Sequence, residues 1–85
     1  MNKSQQAAQA SILKAVDNQI RDNNPPEVKQ TYQRLRASGI TDLDARKYIG
    51  CALTEEMTNI LNKNELYNSE RYLRNLAKLP VLPWE

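Results

Sequence analysis

Residues 41–62, TDLDARKYIGCALTEEMTNILN, decide the fold. Thr41 carries a hydroxyl that can accept a free N–H of a first helical turn, and Asp42 and Asp44 place negative charge at the positive end of the helix dipole. From there Ile49, Ala52, Leu53, Met57, Ile60 and Leu61 recur at steps of three and four, which predicts one long helix from Asp42 to Asn62 with a broad apolar face. A helix of this kind is stable in water only when other elements cover that face. The flanking sequence must supply them.

Upstream, Ala8, Ile12, Val16 and Ile20 repeat every four residues beside Leu13, predicting a helix from Ser4 to about Asp22 that ends at Asn23 and Asn24. Pro25 and Pro26 lack an N–H and fix φ, so they fit only the start of a second helix, with Asn24 as its cap and Glu27 at the third position of a capping box. That helix directs Val28, Tyr32 and Leu35 inward and stops near Ser38, where Gly39 supplies a positive φ. Downstream, Tyr67 and Tyr72 bracket Asn68 as a hydrophobic staple brackets a cap, predicting a fourth helix from Ser69 to about Lys78. The tail Leu79-Pro80-Val81-Leu82-Pro83-Trp84 is too rich in proline for helix and too apolar for a free end, so it is expected to lie extended across the bundle. The expected fold is all-α, a four-helix orthogonal or up-down bundle forming a single domain over residues 1–85.

Composition narrows the function. At 85 residues the core is small, and folding stability should be about 4–13 kcal/mol, a margin that leaves room for self-association. There is no histidine, which removes the commonest general base and the commonest transition-metal ligand. The single cysteine, Cys51, has no partner for an intramolecular disulfide, and the N-terminal stretch is rich in Gln and Ala rather than apolar, so a cytoplasmic location is expected. No apolar run is long enough to span a bilayer. The net charge is +2, with six basic and three acidic residues in 1–40 against six and seven in 41–85, a balance that suits a bundle better than a nucleic-acid arm.

Several side chains stand out against this frame. On a wheel of about 100° per residue Glu56 falls among Ile49, Ala52 and Ile60, inside the apolar face, where a carboxylate needs a partner. Gln19 lies beside the Val16 and Ile20 stripe and Arg46 toward the other edge of the long helix, so Glu56, Gln19 and Arg46 form a candidate ligand-binding cluster. The structural alternative is that Glu56 meets an arginine or a tyrosine hydroxyl and fixes helix register. Glu55 and Glu56 diverge by about 100° and cannot share one metal ion, so no metal and no cofactor is expected. Gly50 in mid-helix suggests close approach by another chain segment, and Cys51 beside it sits away from the main stripe, where a second packed surface has room. Arg71, Arg74 and Lys78 line one side of the fourth helix, but no aromatic platform or phosphate loop accompanies them, and Asp42 and Asp44 would give a recognition helix the wrong sign for DNA. Nucleic acid is therefore a disfavoured partner.

The run Val16-Asp17-Asn18-Gln19, then Asn24-Pro25-Pro26-Glu27, then Ile49-Gly50-Cys51-Ala52-Leu53-Thr54-Glu55-Glu56 resembles a group of small helical bacterial proteins of unassigned function. Their pattern reads ENQ, DPPE, HEAIHAIG and, after one small residue, VLAEE. The resemblance covers about residues 14–62, and Gln19, Asn24, Pro25, Pro26, Glu27, Gly50 and Glu56 carry over. Where those proteins have two histidines four apart, this chain has Leu43 and Lys47. The resemblance implies the bundle and brings no activity with it.

The function expected from these readings is that of a non-enzymatic module that binds a protein partner or itself, through a helix face or through Val81, Leu82 and Trp84 of the tail. The alternative is a small-ligand or degenerate enzyme-like domain built on Glu56.

Overall fold

The computed structural model of the chain describes residues 3–85, with side chains from Ala10 onward. Four helices follow in order, α1 (Lys3–Asp22), α2 (Pro26–Ala37), α3 (Asp42–Lys63) and α4 (Ser69–Lys78), and no strand occurs among the described residues. They form a bundle around α3, which packs against α1, α2 and α4, while α2 also meets α1 and α4. Ala8, expected on the apolar stripe of α1, lies outside the residues whose side chains are described.

Local chemistry sets most boundaries. The Thr41 hydroxyl accepts from the Asp44 N–H at 3.2 Å to open α3, and the Asn68 side chain accepts from the Arg71 N–H at 3.0 Å to open α4. Asn23 takes a left-handed φ of 52°, and the Asn24 N–H reaches back to the Gln19 carbonyl at 3.1 Å, which closes α1 in a Schellman turn. Gly39, at φ 93°, does the same for α2 as the Ile40 N–H bonds to the Leu35 carbonyl at 3.2 Å. The start of α2 differs from the sequence expectation. Pro25, not Asn24, occupies the cap, in an extended conformation with no side-chain bond. Glu27 thereby moves to the second helical position, and the capping box does not form.

The core consists of Val16, Val28, Leu35, Ala45, Ile49, Ala52, Tyr72, Leu76 and Leu79, with Ile12, Ile20, Tyr32, Tyr48, Leu53 and Leu73 packed around it. The expected apolar face of α3 is divided. Ile49 and Ala52 are fully buried, whereas Met57, Ile60 and Leu61 are exposed, Leu61 to 78%. The division arises because α4 reaches α3 over the side that carries Glu56, so the core-facing stripe ends in Glu56 and Asn59 while Met57 and Leu61 turn outward.

Side chains from α2 tie the bundle together. Arg34 donates to the carbonyls of Leu79 at 2.8 Å and Leu76 at 3.0 Å, placing a cation and two donors on the unpaired C-terminal end of α4. The Tyr32 hydroxyl donates to Asp42, whose other oxygen accepts from Arg46. Beyond Leu79 the chain makes two turns, with the Val81 N–H on the Lys78 carbonyl at 2.9 Å and the Glu85 N–H on the Leu82 carbonyl at 3.1 Å. Leu79 is buried in the core, and Val81 and Trp84 stay half or more exposed.

Candidate functional site

The structure places the three polar candidates in separate hydrogen-bond systems. Glu56 is fully buried, and its carboxylate takes a forked contact from Arg71, Nε to Oε2 at 2.6 Å and Nη2 to Oε1 at 3.0 Å. The Asn68 N–H adds a third bond to Oε1 at 3.2 Å. Hydrogen bonds from the Arg71 guanidinium hold the Glu56 carboxyl below the usual carboxylate range, against burial, which pulls the other way, and with help from the Asn68 N–H. Arg71 also reaches Glu65 at 2.9 Å. The carboxylate therefore fixes the first turn of α4 to the middle of α3.

Gln19 instead accepts the Tyr72 hydroxyl at 2.8 Å, joining α1 to α4. Burial raises the Tyr72 phenol well above its ordinary value, so it stays a donor. Arg46 bridges Asp17 of α1 at 3.1 Å and Asp42 at 3.1 Å, a surface network that spans three helices once Tyr32 is included. Of the cationic stripe on α4, Arg71 is engaged by two carboxylates. Among the described residues no group of three or more His, Cys, Asp or Glu converges as a metal site would require. No helix among the described residues is long and apolar enough to cross a membrane.

A hollow lies elsewhere. An open groove of about 590 Å³ follows the outward side of α3, where Lys47, Gly50, Cys51, Thr54, Met57, Thr58 and Leu61 succeed one another at helical spacing. Ile12 and Leu13 of α1 and Trp84 of the tail also line it. Gly50 is small for a steric reason. A Cβ at position 50 would stand 2.9 Å from the Ile12 side chain, so glycine is what lets α1 lie this close to α3. Leu82 sits over a smaller adjoining hollow of about 290 Å³ beside Asp44, Lys47, Tyr48 and Cys51. The tail thus flanks the outward face of α3.

Cys51 is half-buried, and burial pushes its thiol above the usual value, away from the reactive thiolate. Among the described residues the lining offers an extended apolar surface with one charge, Lys47, near one end. Trp84 is 60% exposed and Met57 43%, which leaves them free to cover apolar groups of another molecule. The second surface on the Cys51 side of α3 was legible in sequence, but the contributions of Ile12 and Leu13 were not, since their stripe reads only as core. Arg71 as the partner of Glu56 was also missed, because the fourteen residues between them cross a loop of unknown path. Comparison with family models, curated proteins and solved structures finds no match to the chain.

Proposed function

We propose that the chain is a non-enzymatic cytoplasmic interaction module whose working surface is the groove on the outward side of α3, and that its partner is a protein segment. The single observation that carries this reading is the groove itself, where Met57, Leu61 and Trp84 stay exposed beside Ile12, Leu13 and Cys51. The polar groups that an active site would use are committed to holding helices together, Glu56 to Arg71 and Gln19 to Tyr72. An apolar surface left uncovered at this size is characteristic of a docking site.

The test replaces Met57 and Leu61 together by lysine. Both side chains project outward, so the melting temperature should move by no more than a few degrees. Affinity capture from cell extract, followed by sedimentation of the captured protein with the chain, should then show a complex with the native chain that the double variant loses. A native chain that captures the same proteins as the variant, with equal affinity, would refute the reading.

A further inference from the structure

We infer that the groove's partner is an amphipathic helix bearing acidic residues toward one end, its apolar side against α3 and a carboxylate at Lys47. This inference rests on the docking reading above and adds the chemistry of the partner. Three properties of the groove carry it. Lys47 and Leu61 lie fourteen positions apart on one helix, a span of about 21 Å, which matches four turns of a second helix with anchors at i, i+4, i+7 and i+11. Cys51, Thr54 and Thr58 between them are small, so a second helix can approach closely, while Met57, Leu61 and Trp84 supply apolar contact.

The third property is charge. Among the described residues Lys47 is the one charged side chain lining the groove, and it forms no ion pair there. Residues 1–9 contain no acidic side chain that would neutralise it. A partner carboxylate at that end gains attraction from Lys47, which Asp44 of the adjoining hollow reduces but does not pair. Other occupants fit less well. Small-molecule sites bury roughly 70–90% of their ligand, whereas this groove is about half open and would leave one side of an acyl chain in water. A second copy cannot use the groove symmetrically, since two concave faces set against each other enclose a void rather than a contact.

Trp84, the one tryptophan, lines the groove and reports on it directly. The full chain is titrated with two tryptophan-free synthetic helices of about sixteen residues, each with leucine at i, i+4, i+7 and i+11, one flanked by glutamates and the other by lysines. The acidic probe should shift Trp84 emission to shorter wavelength and saturate, and the basic probe should bind about tenfold more weakly. Lys47→Glu should reverse that order, and rising salt should narrow it. Equal binding of both probes, or an order unchanged by Lys47→Glu, overturns the charge assignment while leaving groove docking intact. Hexadecanoate binding in the absence of either helix overturns the helical partner. No response to any probe overturns the inference, and the Met57 and Leu61 comparison then decides separately whether the groove docks protein at all.

Discussion

Replacing Arg71 by methionine should destabilise the chain by about 3 kcal/mol, lowering the melting temperature by roughly 12–24 °C. The loss arises because the Glu56 carboxylate, fully buried, then keeps only the Asn68 N–H and no cation. Glu56→Gln should cost less, about 1–2 kcal/mol, since Arg71 is a quarter exposed and retains Glu65. The two variants also differ in pH dependence. In the native chain the folded-state pKa of Glu56 lies below its unfolded value, so this group's contribution is present above the ordinary glutamate pKa of about 4.3 and is lost as pH falls through the depressed folded value. In the methionine variant burial has no opposing cation and raises the carboxyl. Its stability relative to the native chain should therefore improve on acidification from neutral pH, a change of sign that urea melts at a series of pH values would reveal. A parallel loss in both chains across that range would mean that Glu56 is not held by Arg71.

Tyr72→Ala should have the largest effect on folding, about 3–5 kcal/mol, a large share of a total near 4–13 kcal/mol. Tyr72 is fully buried, lies 6.3 Å from the Tyr67 ring at a tilt of 57°, and carries the hydroxyl that reaches Gln19. Tyr72→Phe keeps the ring and removes one hydrogen bond to a partly exposed partner, so it should cost about 1 kcal/mol. The ratio between the two, read from urea midpoints at constant slope, separates the ring's packing from its polar link to α1.

These effects show which parts of the molecule a sequence can report. The openings of α3 and α4 were legible because Thr41 and Asn68 act within one turn of themselves, and the turn at Gly39 because only a local φ is at stake. The same local rule failed at α2, where two consecutive prolines put Pro25 in the cap position and left Asn24 outside. Glu56 was recognisable as an inward carboxylate from periodicity alone. Its partner was not, because choosing among Arg46, Arg71 and a tyrosine depends on where the loop from Asn64 to Asn68 delivers α4. The apolar residues of α3 were all visible, but which of them face another helix depends on the side that α4 takes. Arg34 carried no signal beyond its charge, although it closes the end of α4.

A chain in which the buried carboxylate is structural and the outward side of α3 is the working surface separates stability from binding on one helix. Amide and indole shifts of the labelled chain, followed by NMR during titration with the acidic helical probe, test this most directly. The expected changes cluster at Leu13, Lys47, Cys51, Thr54, Thr58 and the Trp84 indole, with the Arg71 guanidinium and the Gln19 side chain unmoved. Changes centred on Gln19, Glu56 and Arg71, with the groove silent, would contradict the account.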